Sequence, residues 1–164
     1  MLNLIFAAGA TLACLATPLP GTTAKPIGEA SFKKAIFHLY DASLCADKTP
    51  FTMEGKFSLT LDYKRKFTSD QLVKATMVEM SRLSGRDKSE FTALKGPITA
   101  CFPDVKKGDQ ITGVSLSDSS ANFYLNGKPS CEIEWDGFRH DFFGIWLSDN
   151  TRAPKKSRRL RGLP

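Results

Sequence analysis

Asn122-Phe123-Tyr124-Leu125-Asn126-Gly127 and, a short way on, Asp141-Phe142-Phe143-Gly144-Ile145-Trp146-Leu147 decide the fold of this chain. The first stretch reads as a strand entering a tight turn. Asn-Gly is the strongest short hairpin signal, because both residues tolerate the positive φ of a type I′ turn. The second stretch reads as a helix that lays aromatic mass on a sheet.

Working outward, three strands run in series over Gln110–Leu116, Ala121–Leu125 and Lys128–Ile133, joined by Ser117-Asp118-Ser119-Ser120 and by Asn126-Gly127. This is an antiparallel meander. Trp135 or Asp136 begins the last long helix, with Phe138, Phe142, Ile145 and Trp146 on its buried side.

Upstream, Phe57, Leu59, Leu61 and Tyr63 alternate with Ser58, Thr60, Asp62 and Lys64, the period of a half-buried strand. Continued one step, the alternation puts Arg65 on the apolar face beside Tyr63. Glu29 to Leu39 reads as a single earlier strand, most β-rich over Ile36–Tyr40. A helix capped by Thr68 or Ser69 carries Leu72, Val73, Thr76, Met77, Met80 and Leu83 at helical spacing and stops at Ser84-Gly85. Its Met-containing stripe is read as core. Lys88 to Phe102 is mostly helical, with Gly96-Pro97 expected to break or kink it. The fold class is α+β: an open-faced β-sandwich in which a helical layer packs on one face of a curved antiparallel sheet.

The chain has 164 residues and no internal repeat, which suits one domain. Twelve Phe against two His favour apolar packing or an apolar pocket over metal chemistry, and His38 and His140 lack metal-ligand spacing. No metal and no cofactor are expected. Residues 1–24 hold no charged side chain and read as a signal peptide, with cleavage expected after Ala16 or Ala24. The domain is then 25–164, exported to the periplasm or secreted. A retained signal anchor is the alternative.

Three cysteines follow that segment, Cys45, Cys101 and Cys131, and they leave open one bridge with a free thiol or three buried thiols. The formal charge is +6, and Lys155, Lys156, Arg158, Arg159 and Arg161 supply most of it. Such a cluster can touch a membrane. No aromatic residues interleave it, so it reads as a solvated amphipathic end rather than a nucleic-acid site.

Six pieces in register carry a resemblance. They are Leu39-Tyr40-Asp41-Ala42-Ser43-Leu44, Leu59-Thr60-Leu61-Asp62-Tyr63, Lys107-Gly108-Asp109-Gln110-Ile111-Thr112-Gly113-Val114, Phe123-Tyr124-Leu125-Asn126-Gly127, Phe142-Phe143-Gly144-Ile145-Trp146-Leu147 and Thr151-Arg152-Ala153-Pro154. Over about residues 26–162 the chain resembles the bacterial, exported branch of the chalcone isomerase-like proteins. The resemblance implies a ligand cleft between sheet and helices. It also implies one of two activities: closure of a chalcone to a flavanone, or fatty-acid binding without catalysis.

The enzymes of that family use an early Arg, a Thr five residues before the Tyr matching Tyr40, a Tyr and an Asn on the first long helix, and a Thr or Ser on the last helix. Here those positions hold Ala35, Leu72 or Val73, and Ile145, and the early Arg has no counterpart. No catalytic residue is therefore assigned.

The leading expectation is a non-catalytic monomer that binds a small apolar or carboxylate ligand, such as a fatty acid. Arg65 and Tyr63 would hold a carboxylate, and Tyr40 is a further candidate. The alternatives are an isomerase of the intramolecular lyase type acting on an enone through Tyr63, Arg65 or His38, and an interaction module docking through the basic tail.

Overall fold

The computed structural model describes Cys14 and residues 19–164. Most of the expected leader lies outside the described residues. Six strands, β1 (Lys25–Lys34), β2 (Phe37–Ala46), β3 (Phe57–Tyr63), β4 (Gln110–Ser115), β5 (Ser120–Leu125) and β6 (Lys128–Glu134), form one sheet in sequential order, every pair antiparallel. The helices are α1 (Ser69–Ser84), α2 (Thr92–Cys101), α3 (Gly144–Leu147) and α4 (Pro154–Leu160). A 3₁₀ turn over Lys88–Phe91 leads into α2, and a π-type turn over Arg139–Phe143 leads into α3. The architecture is the expected α+β open sheet. Among the described residues no helix is long and apolar enough to cross a membrane.

Local chemistry accounts for the element ends. Thr68 caps α1: its hydroxyl accepts from the Gln71 amide while the Gln71 side chain accepts from the Thr68 amide, satisfying two otherwise unpaired donors. Gly85, at φ 70°, closes the helix. Asn126 and Gly127 take φ of 51° and 79°, the pair of positive values that a type I′ turn needs.

Three expectations are corrected. The strand expected over Glu29–Leu39 is a hairpin: β1 ends at Lys34, Ala35 turns at φ 53°, and β2 begins at Phe37. Pro97 does not end its helix; α2 runs through it to Cys101. The expected last long helix is shorter and begins with wider turns.

The core lies between the sheet and α1 to α3. Phe57, Leu59, Leu61, Phe123 and Ile133 from the strands meet Met80, Ile98, Phe142 and Phe143, all buried. Phe123 stands edge-on to Phe102 and Phe142, and Phe57 edge-on to Phe143. Such contacts add to simple area burial. Gly113 permits this approach, since a Cβ there would lie 2.9 Å from the Phe123 ring and 3.0 Å from Phe143. On the other face of β3 and β4, the buried hydroxyls of Thr60 and Thr112 satisfy one another at 2.8 Å. The face expected to meet solvent is thus covered at its centre.

The cysteine pattern also differs from both expectations. Cys101, at the end of α2, is bonded to Cys131 on β6, and Cys14 is bonded to Cys45 on β2, so no free cysteine remains among the described residues. Cys14, inside the expected leader, is the fourth cysteine that makes the count even. The basic tail is likewise part of the fold. It forms α4, with Leu160 fully buried, and packs so closely on β1 that a Cβ on Gly28 would lie 2.2 Å from the Arg159 carbonyl oxygen. Lys156 donates to the Ser31 carbonyl and Arg161 pairs with Asp149 at 2.7 Å.

Candidate functional site

The alternation of β3 sends Leu59, Leu61 and Tyr63 toward the helices, and the β2 register sets Tyr40 directly opposite Tyr63. From the other side α1 presents Leu72, Thr76 and Glu79, one helical stripe at spacings of three and four. Phe142, Ile145 and Trp146 close the third wall. Between them lies a cavity of about 400 Å³, within the roughly 300–1,000 Å³ of small-ligand sites. Its walls are overwhelmingly apolar. Gln71 and Ala75 are its exposed liners, and Leu39, Tyr40, Phe67, Leu72, Glu79 and Ile145 are half-buried, so the mouth opens along α1.

The polar groups are few. The Trp146 indole Nε1 donates to the Tyr40 hydroxyl at 3.0 Å. Burial pushes the Tyr40 phenol up to about 12, against the opposing pull of that hydrogen bond and with help from the Glu79 charge. Tyr63, 5% exposed, is raised as well, by burial and by its neighbour Tyr40. Its hydroxyl makes no hydrogen bond among the described residues. The two rings sit 5.9 Å apart, edge to face. Both phenols therefore stay protonated at neutral pH. Tyr63 has a donor and an acceptor to offer. Tyr40, already accepting from Trp146, still has its proton to give.

Thr76 donates to the Leu72 carbonyl and is satisfied within its own helix. Among the described residues Glu79 is the one lining residue with a full charge, and it is neutralised where it stands: Arg82 binds it at 2.8 Å and Arg152 donates to its other oxygen. Burial works to raise this carboxyl. The hydrogen bonds and charges of the two arginines outweigh it and hold the pKa below the usual carboxylate range.

The structure brings Tyr40 and Tyr63 together on the cavity and leaves Arg65 out. Lys64 donates its amide to the Leu39 carbonyl and the Tyr63 carbonyl accepts from Gly108, but β3 ends there. Arg65 then turns outward, exposed, with its guanidinium 4.2 Å over the Phe37 ring. Among the described residues no Lys, Arg or His lines the cavity. His38 pairs with Asp41 at 2.6 Å, away from the cavity lining. Met77 and Met80 belong to the core rather than the lining.

Ala35, at the hairpin turn, is exposed. Leu72 and Ile145 do line the cavity, so two positions where the resemblance counts polar catalytic groups present aliphatic side chains to it. Glu79, Gln71 and Trp146 were not singled out as site residues. Glu79 could have been found as the next step of the Leu72–Thr76 stripe. Its pairing with Arg152 joins distant parts of the chain and has no local signature.

A second hollow, of about 630 Å³, lies on the opposite face of β2 and β3, beside Asp41, Ser43, Thr60 and Asp62. Its lining mixes Glu29, Asp41 and Asp62 with Lys33, Lys156 and Arg159. Among the described residues no cluster of three or more His, Cys, Asp or Glu could hold a metal ion.

A family model described as chalcone isomerase-like matches residues 33–156. Among solved structures, the crystal structure of a fatty-acid binding protein of Arabidopsis thaliana superposes with a TM-score of 0.70 at 11% identity, covering 88% of this chain and 91% of that one. At that identity the likeness is one of fold. No curated protein sequence matches the chain.

Proposed function

Since the chain belongs to the chalcone isomerase-like family, we propose that it is one of the non-catalytic members, binding a small apolar ligand of the fatty-acyl class in the cleft between sheet and helices. The single observation that carries this reading is the character of the cavity. It is an apolar cleft, open at its mouth, whose buried free polar groups are two protonated phenols, with no cation and no unpaired carboxylate among the described lining residues. Two O–H donors side by side suit an acceptor oxygen, such as a carbonyl or carboxyl, at the end of an apolar body. Proton abstraction would need a base. Glu79 is held as a carboxylate between two arginines, and a base so stabilised is a weak one.

The fold neighbour is a fatty-acid binding protein, which supports ligand binding as the general role and an acyl chain as the first class to try. We also propose export, with residues 1–24 as the leader and 25–164 as the domain. The Cys101–Cys131 bond supports this, because such bonds persist in oxidising compartments. A form that keeps residue 14 has both bridges; a form cut after Ala16 or Ala24 keeps one.

The test has two arms. Protein purified from its native compartment is extracted with organic solvent and the extract analysed by mass spectrometry. In parallel, the protein is titrated with a naturally fluorescent polyene fatty acid. The expected result is a co-purifying acyl molecule and saturable fluorescence that unlabelled ligand displaces. An empty extract together with no saturable signal sinks the reading.

A further inference from the structure

In a sequential antiparallel sheet the ends of odd strands and the starts of even strands meet at one edge. Here that edge gathers the β1–β2 turn, the residues after β3, those before β4 and the β5–β6 turn. Backbone bonds fix the gathering: Lys64 to Leu39, Gly108 to Tyr63, Asn126 to Gln110.

The same edge carries two unusual loads. The first is apolar. Ile36 is 89% exposed and Phe37 is 49% exposed, at the very tip of the β1–β2 hairpin. The second is cationic. Lys33 and Lys34 flank the tip, Arg65 and Lys66 follow β3, Lys106 and Lys107 precede β4, and Lys128 opens β6. None of them has a carboxylate partner among the described residues. The acids at this edge are already engaged. Asp41 and Asp62 hold Lys64, Asp104 accepts from the Ser69 amide, and Asp109 accepts from the Lys106 amide and from Asn126. At the opposite edge the turns carry Asp47, Glu54, Asp118, Glu134 and Asp136 against Lys25, Lys48 and Lys56. The turns at the two ends of the sheet thus differ in charge, while α4 lays Arg159 beside Gly28 near the start of β1 and Arg139 bonds Ser115 at the end of β4.

We propose that this edge docks on an anionic lipid bilayer, with Ile36 and Phe37 inserted at the headgroup–acyl boundary and the surrounding lysines on the lipid phosphates. An apolar tip standing out beyond a ring of cations is what a charged membrane surface accepts. A nucleic acid would meet the apolar tip first and gain nothing from it. Lysine stems can lie along the apolar layer with their ammonium groups at the headgroups. Arg65 above Phe37 pairs a cation with an aromatic ring at the same depth. The mouth of the cavity adjoins this edge, for Leu39 is two residues beyond Phe37 and Phe67 two beyond Arg65. A bilayer-borne ligand thus has a short path inward. The docking itself does not depend on what the cavity holds.

The experiment is co-sedimentation of the protein purified from its native compartment with vesicles of phosphatidylcholine alone and of phosphatidylcholine with phosphatidylglycerol. Binding is expected only to the anionic vesicles. Ile36→Ser with Phe37→Ser should weaken it roughly tenfold or more, and Lys33→Ser with Lys34→Ser roughly fivefold for each cation removed. These positions are exposed, and circular dichroism with thermal unfolding confirms that each variant is folded. Ile36→Trp should show a blue-shifted emission on anionic vesicles. Lys155→Ser with Arg159→Ser, in α4, serves as the control and should bind as the parent does. Failure of the parent to sediment overturns the proposal. So does equal binding to neutral vesicles, undiminished binding of the tip variant, or loss confined to the α4 variant.

Discussion

The Trp146 indole donates to the Tyr40 hydroxyl at 3.0 Å, tying α3 to β2 across one wall of the cavity. Both partners are held in apolar surroundings, so neither polar atom has a ready substitute. Tyr40→Phe leaves the indole N–H unpaired, and Trp146→Phe leaves the phenol unpaired. Each should cost about 1–3 kcal/mol. The double variant should cost less than the two singles together, because it removes both polar groups at once. Urea unfolding of the four proteins reads this directly, and strict additivity would show that the bond contributes nothing.

Tyr63 gives the opposite pattern. Its hydroxyl has no partner among the described residues, so Tyr63→Phe should leave stability within about 0.5 kcal/mol of the parent. If that hydroxyl holds the ligand's oxygen, affinity for the fluorescent acid should fall by about 0.5–1.5 kcal/mol, roughly two- to tenfold. Arg65→Ala, outside the cavity, should leave that affinity unchanged in vesicle-free solution. Equal losses in the two variants would place the head group at the mouth instead.

How far the sequence could be read depended on whether each feature has a local signature. Asn126-Gly127 announces its own turn, and the alternation from Phe57 to Tyr63 states which side chains share a face. Sheet and cavity wall were legible for that reason. The β1–β2 turn was not, because Lys34-Ala35-Ile36 contains neither glycine nor asparagine, and a positive φ at Ala35 has no local cue. Arg65 was placed by extending an alternation one step too far. The last backbone bonds of this strand are those of residues 63 and 64 to Gly108, Asp109 and Leu39, and where that pairing runs out is settled only in the assembled sheet. The Cys101–Cys131 bond and the Glu79–Arg152 pair join separate elements, and nothing in either neighbourhood names the partner.

The Cys101–Cys131 bond closes a loop of 30 residues between α2 and β6. The loop-entropy relation assigns such a crosslink about 3–4 kcal/mol, by restricting the unfolded chain. Cys101→Ala with Cys131→Ala should lower the unfolding free energy by that order. Cys101 is buried and Cys131 only partly so. Part of any loss therefore comes from packing at the end of α2. Comparing parent and double variant with both reduced separates the two, since every crosslink is then broken in each and only the side-chain volume differs.

Glu79 supplies a pH dependence. Arg82 and Arg152 hold its carboxyl below the usual range, burial notwithstanding. A carboxyl whose native pKa is depressed adds stability above its unfolded pKa and loses it as the pH falls through the native value. Glu79→Gln should therefore be less stable than the parent at neutral pH, by roughly 1 kcal/mol for a half-exposed pair of arginine contacts. The two stability curves should converge in acid, below the parent's native Glu79 pKa, where its carboxyl is neutral as well. Thermal unfolding followed from neutral to acid pH measures the gap. A gap that stays constant down to strong acid would assign the loss to side-chain shape at the cavity mouth rather than to the charge that Arg82 and Arg152 hold there.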